Sequence, residues 1–249
     1  MLLQRCQYDE PVAVIGDIHG RLDLLLPLLD QIGDRKLLVL GDLVDRGPDA
    51  RGVIETLIER EAVGVLGNHE EWFLAWIKNL GFDSFVLHPM FGADTTLASY
   101  GVVGRTPREV MAQRWRVPKR HREWLEARPL LIDLEVMGER WWMSHGGLPG
   151  FHDYTGLAPD EIMPWLLENF PRDLLWSGTE PDVMGAVDRP FLMGHMVVHQ
   201  PMDRGHMVAL DTGAGTFGAY GTLTALLLPE RTFAQSGPLE QPPWLDALR

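Results

Sequence analysis

Val12-Ala13-Val14-Ile15-Gly16-Asp17-Ile18-His19-Gly20 carries four apolar residues into a glycine, a carboxylate and an imidazole within a few positions. A short apolar run that stops at glycine reads as a buried strand delivering polar groups at its carboxyl end. The pattern returns twice: Leu37 to Leu40 leads into Gly41-Asp42-Leu43-Val44-Asp45-Arg46-Gly47, and Val63 to Leu66 leads into Gly67-Asn68-His69-Glu70. Between these runs, Leu22, Leu25, Leu26, Leu28 and Leu29, and then Val53, Ile54, Leu57 and Ile58, fall at helical spacing. Strand, helix, strand, helix, strand in succession needs crossover connections and therefore predicts a parallel sheet. Asp17, Asp42 and Asn68 lie 25 and 26 residues apart, one per unit, so three loops meet at one edge of that sheet.

Further along, the pattern changes. From Glu70 to about Pro129 the chain reads as a helical excursion containing Trp72, Phe73, Trp76, Trp115 and Trp124, with no clear strand. Basic residues are not regularly interleaved with these aromatics, which predicts packing rather than a base-stacking surface; Phe82 to Ala93 is a candidate groove lining. Leu130 to Val136 and Arg140 to Ser144 predict paired strands turning at Gly138, the second delivering His145 into Gly146-Gly147, and Pro190 to Met193 delivers His195. Val208 to Asp211 and Leu223 to Leu228 predict two more strands and with them a second sheet, hence a layered sandwich. The polar, proline-rich stretch 235–249 reads as a loosely packed tail. With no internal repeat or linker, residues 1–249 are expected to form a single domain.

The 249 residues carry 22 Lys and Arg against 35 Asp and Glu, a formal charge of −13, which opposes the electrostatics that polymeric DNA or RNA requires. A small phosphorylated partner is still allowed, because bound divalent cations would reverse the local field. Cys6 is the single cysteine, so no internal disulfide can form. No leader-like segment and no run of 18 apolar residues is present, and the expectation is a cytoplasmic protein with no membrane partner.

Five glycine-flanked segments supply carboxylate, amide and imidazole groups in a set suited to two divalent cations about 3.5 to 4 Å apart. Asp42 is the candidate bridge. Asp17 and His19 can converge on one ion, while Asn68, His145 and His195 complete the other. Mixed oxygen and nitrogen donors favour manganese first, with iron or zinc as alternatives, over calcium.

On these motifs, above all Asp45-Arg46-Gly47 and Asn68-His69-Glu70, the chain resembles the phosphoprotein phosphatase branch of the metallophosphoesterases from Val12 to about Leu228. The resemblance implies a four-layer α/β/β/α sandwich with a dinuclear site between two sheets. It assigns Asp17, His19 and Asp42 to one metal, and Asp42, Asn68, His145 and His195 to the other. Arg46, together with Asn68, would hold the phosphate, and His69, oriented by Asp45, would protonate the departing oxygen. The implied reaction is direct attack of a metal-bridging hydroxide on phosphorus. Leu210-Asp211-Thr212-Gly213-Ala214 and Gly221 to Leu226 are also similar to the closing strands of diadenosine tetraphosphatases.

Two departures stand out. A second phosphate-binding arginine is usual after Leu174-Leu175-Trp176, but Ser177-Gly178-Thr179 follows here; Arg189, or failing that Arg172, is the candidate replacement, and the equal alternative is a pocket that lacks this group and binds phosphate more weakly or accepts a bulkier ester. Met196-Val197 also stands where a Thr-Pro pair usually follows the last histidine. The main expectation is a phosphatase acting on phosphoserine or phosphothreonine in proteins, favoured by Asp45 and Glu70, and the alternative is a dinucleoside polyphosphate hydrolase. An inactive phosphate-binding module is disfavoured by the complete ligand set, and a nuclease by the negative charge.

Overall fold

Alternate residues of the central strands face opposite ways, and both directions are apolar. In the computed structural model, which describes residues 2–80, 91–104, 106–178, 187–216 and 220–238, this produces two stacked sheets with helices outside each. The strands are β1 (Leu3–Tyr8), β2 (Val12–Ile15), β3 (Lys36–Val39), β4 (Val63–Gly64), β5 (Leu131–Val136), β6 (Glu139–Ser144), β7 (Phe191–Met193), β8 (Met202–Asp203), β9 (Met207–Ala209), β10 (Leu223–Leu228) and β11 (Thr232–Ser236). One sheet runs β11-β10-β2-β3-β4 and the other β1-β5-β6-β7-β9-β8. The helices that place the site are α1 (Leu22–Ile32), α2 (Ala50–Glu59), α3 (Asn68–Lys78), α4 (Ala93–Ser99), α5 (Pro107–Met111), α6 (Lys119–Glu126), α7 (Ile162–Asn169) and α8 (Asp173–Trp176).

Val12, Val14, Leu38 and Leu226 of the first sheet pack against Ile132, Met143, Leu192 and Val208 of the second, forming the central layer contact. Their neighbours Ala13, Ile15, Leu37 and Val39 face outward onto α1 and α2 through Leu25, Leu28, Val53 and Leu57. Phe191, Met193 and Met207 do the same on the far side against Met163 and Leu166 of α7. Each such side chain, fully withdrawn from water, contributes roughly 1.5–3 kcal/mol. The result is the expected α/β/β/α order, with β2, β3 and β4 parallel.

Three details differ from the sequence expectation. β10 lies antiparallel between β2 and β11 in the first sheet, so of the two late strands only β9 joins the second sheet. β1 was not expected: Leu3-Gln4-Arg5-Cys6-Gln7-Tyr8 buries only Cys6 outright, so an edge strand parallel to β5 left little apolar signal. Gln235 and Ser236, placed in the tail, close β11, where the Ser236 hydroxyl donates to the Leu24 carbonyl. The rest of the tail from residue 239, and most of the candidate groove lining from Phe82, lie outside the described residues. Within 70–130 the described residues are helical or irregular, as anticipated. No helix among the described residues is long and apolar enough to cross a membrane.

Candidate active site

Asp17 and His19 follow β2, Asp42, Asp45 and Arg46 follow β3, and Asn68 and His69 open α3 directly after β4. His145 follows β6 and His195 follows β7, so carboxyl-end loops of both sheets converge. His19, Asp42, Asp45, Arg46 and His195 all hold positive φ, between 48° and 70°. Left-handed backbone is costly for non-glycine residues and persists where surrounding structure imposes it, often at functional sites. Asp17, His19, Asp42, Asp45, Asn68, His69 and His145 are all buried.

Hydrogen bonds fix which nitrogen each imidazole presents. His19 Nδ1 donates to the Val44 carbonyl at 2.8 Å and His145 Nδ1 to the Leu40 carbonyl at 2.9 Å, leaving Nε2 of each directed at Asp42. His19 Nε2 is 3.6 Å from Asp42 Oδ2, and His145 Nε2 is 3.2 Å from Asp42 Oδ1. The two oxygens of one carboxylate therefore serve two different imidazoles. Asn68 Oδ1 lies 2.8 Å from His145 Nε2 and 3.1 Å from His195 Nδ1. Asp17 accepts the His195 backbone N–H, at 3.1 Å to Oδ2.

Two donor groups result, His19 with Asp42 and His69, and Asp42 with His145 and His195, each spanning no more than 4.8 Å. Asp42 belongs to both. The donor set fits a pair of divalent cations: Asp17, Asp42 and Asp211 gather three buried carboxylates, and burying uncompensated negative charge is costly. Burial, and then the Asp211 charge, push Asp17 well above the usual carboxylate range, while burial outweighs all else in depressing His19 and, to about 4, His195. Burial opposes protonation of His145 too, but Asp42 and its neighbours prevail and raise it to about 10. His69 shows the same contest: burial lowers it, the Asp42 charge and the Asp45 hydrogen bond raise it more, and the net shift is upward.

Arg46 reaches across the cluster, with one terminal nitrogen 2.8 Å from His19 Nε2 and the other 3.3 Å from His69 Nε2. Its planar fork is suited to phosphoryl oxygens. His69 Nδ1 is 2.7 Å from Asp45 Oδ2. Thr96, which no sequence signal singled out, donates to Asp45 Oδ1 at 2.7 Å and accepts the Asp45 N–H at 2.6 Å. Glu70 was also overlooked as a structural element. Its Oε1 accepts from Leu43 N and Val44 N, and its Oε2 from Asp42 N and Gly67 N, at 2.8–3.2 Å, which ties the second and third loops together.

Arg189 corrects the sequence reading. It precedes β7, at the end of the strand opposite His195, and is committed there: it pairs with Asp133 at 2.6 Å and Asp188 at 2.6 Å and lies over the Trp142 ring at 4.2 Å. It does not reach the cluster. Arg172 is paired with Glu71 at 2.7 Å. His121 is fully buried and His152 is stacked on Phe170, so both serve packing. Thr179 lies outside the described residues.

Two stacked sheets whose loops converge on a carboxylate shared by imidazole clusters define a metallophosphoesterase, a hydrolase of phosphoester bonds. The calcineurin-like phosphoesterase family matches residues 10–222, and the chain belongs to that family. It is 29% identical over 246 residues to the asymmetrical bis(5'-nucleosyl)-tetraphosphatase PrpE of Geobacillus thermodenitrificans, covering 89% of this chain and 91% of that one. The Bacillus thuringiensis protein of the same name is 28% identical, covering 87% and 90%. Among solved structures, a protein assigned as a diadenosine tetraphosphatase shares the fold at a TM-score of 0.63 and 18% identity, covering 96% of this chain and 99% of that one. A protein serine/threonine phosphatase from Saccharomyces cerevisiae does so at 0.57 and 17%, covering 98% and 85%.

Proposed function

We propose that this metallophosphoesterase cleaves dinucleoside polyphosphates, the diadenosine tetraphosphate class, rather than acting first on phosphoproteins. The observation that carries this reading is the similarity, across about nine-tenths of both chains, to relatives named asymmetrical bis(5'-nucleosyl)-tetraphosphatases. It reverses the order of preference drawn from the motifs alone. Phosphoserine or phosphothreonine in proteins is retained as the second reading, because Asp45, which with Glu70 motivated it, is in contact with His69.

In this reading Asp17, His19, Asp42, Asn68, His145 and His195 hold two divalent ions, for which the mixed oxygen and nitrogen donors suit manganese, iron or zinc. Such ions supply Lewis-acid polarisation of phosphoryl oxygens and an activated water. Arg46 orients the phosphate under attack. His69 carries a proton at Nε2 to the oxygen that departs, and Asp45 keeps the ring oriented through Nδ1. Glu70 acts on the loops rather than on the substrate, fixing the backbone from which Asp42 projects.

The decisive experiment compares kcat/KM for diadenosine tetraphosphate, a phosphoserine peptide and p-nitrophenyl phosphate in the presence of manganese, with metal content measured. The reading expects the dinucleotide to be the best substrate. A phosphopeptide turned over faster would restore the second reading, and no release of phosphate or nucleotide from any substrate would reject both.

A further inference from the structure

We propose that the groove along α3 beyond Trp72 seats the nucleoside of the departing half of the substrate, with Trp72, backed by Trp176, as its stacking wall. The proposal rests on the dinucleotide reading above. α3 begins inside the catalytic cluster, and His69 is its second residue. Three residues on, the Trp72 ring meets the His69 imidazole edge-on, with centroids 5.4 Å apart, and meets Trp176 at 4.9 Å and Phe91 at 5.5 Å. The sequence had assigned Trp72 to packing, but it is only half-buried and lines a cavity of about 400 Å³. Leu66, Leu74, Ala75 and Leu80 supply the apolar part of that cavity, and its charged lining is paired, Arg172 with Glu71 at 2.7 Å and Lys78 with Glu126 at 3.5 Å.

Direction follows from His69. Trp72 is packed on the imidazole that would give its proton to the departing oxygen, so the leaving side of the substrate is assigned to the α3 side. Lys78 lies nine residues further, about 13 Å along the axis. The wall is held in place before any ligand arrives: Glu71 takes Arg172 at 2.7 Å and the Trp176 indole N–H at 3.0 Å, locking α8 against α3. An aromatic wall and an aliphatic floor match the base of a nucleoside, since bases stack on tryptophan.

The test measures the ratio of kcat/KM for diadenosine tetraphosphate to that for p-nitrophenyl phosphate, which has no nucleoside. Trp72→Ala should lower this ratio roughly 10- to 100-fold, the loss of one stacked base, Trp72→Phe should recover most of it, and Trp176→Ala, which removes only the backing of Trp72, should lower it less. Leu80→Glu, at an exposed position of the apolar lining, should raise KM for the dinucleotide selectively with no demand on folding. An unchanged ratio in all of these variants would overturn the subsite. Should the wild type leave diadenosine tetraphosphate intact, the dinucleotide reading fails separately. Tryptophan fluorescence quenched by ATP but not by inorganic triphosphate would then still support a nucleoside seat, and its absence would reject it.

Discussion

Asp45 holds His69 with one carboxylate oxygen, Oδ2 to Nδ1 at 2.7 Å, while its other oxygen is held by Thr96. With both oxygens engaged the carboxylate cannot swing away, so the imidazole keeps Nε2 turned toward the cluster. His69→Asn is expected to slow turnover by roughly 10² to 10⁴, the range for a lost general acid, and Asp45→Asn by less, since the ring remains. Metal analysis separates this role from another, because His69 also lies in a donor group with His19 and Asp42. Two ions retained in His69→Asn supports proton donation, and one ion lost makes His69 a ligand.

Asp42 belongs to both donor groups, so Asp42→Asn should remove metal binding as a whole rather than halve it. A subtler probe substitutes none of the ligand residues. A methyl group on Gly194 would sit 2.1 Å from Asp17 Oδ1, whereas one on Gly178 would meet nothing closer than Met196 sulfur at 3.7 Å. Gly194→Ala should therefore displace Asp17 and weaken metal affinity, measured by metal titration of the apo-protein, and Gly178→Ala should not. Equal affinities in the two variants would show that Asp17 is not a ligand.

The polar loops were legible because a buried strand that ends at Gly-Asp or Gly-His advertises both the element and the group it delivers. Asp17, Asp42, Asn68, His145 and His195 come together for that reason. Thr96 gave no such signal, since it meets Asp45 from 51 positions further along the chain, on an unremarkable helix. Arg189 misled in the opposite way. A basic residue near the right loop suggested a phosphate contact, but whether it sits before or after a strand decides which end of the sheet it occupies. The sheet assignment of β10 was equally hidden, because its apolar run suits either face of the sandwich.

Glu70 accepts four backbone N–H groups from two loops, and burial together with the Asp42 charge raises its pKa to about 7. Glu70→Gln would turn an amide NH₂ toward two of these donors, each left unsatisfied at about 1–3 kcal/mol. Urea unfolding should show a loss of roughly 2–4 kcal/mol, accompanied by weaker metal binding as Asp42 loses its anchored backbone. Unaltered stability would mean the loops hold their shape without this carboxylate.

Arg189→Ala tests the corrected placement. Asp133 is 8% exposed and keeps Arg140 at 2.8 Å, so the loss should be modest, about 1–2 kcal/mol of stability. KM and kcat should stay at wild-type values on every substrate. A KM increase for phosphate esters would return Arg189 to the substrate pocket and contradict its contacts with Asp133 and Asp188.

His121 links α6 to α2 from a fully buried position, facing the Tyr100 hydroxyl at 2.9 Å and Glu55 Oε2 at 2.8 Å. Burial lowers its pKa although Glu55 pulls the other way, and the His121 hydrogen bond lowers Glu55 in turn. The unfolded chain, with His121 near its ordinary value of about 6.5, therefore takes up the proton first as pH falls. Stability is fully present above that value and declines toward the folded pKa, and the Glu55 contribution is lost at still lower pH. His121→Gln should be less stable than wild type at pH 7.5, yet lose less stability between pH 7 and pH 5. Urea unfolding at several pH values checks this, and parallel curves for the two proteins would remove His121 from the acid response.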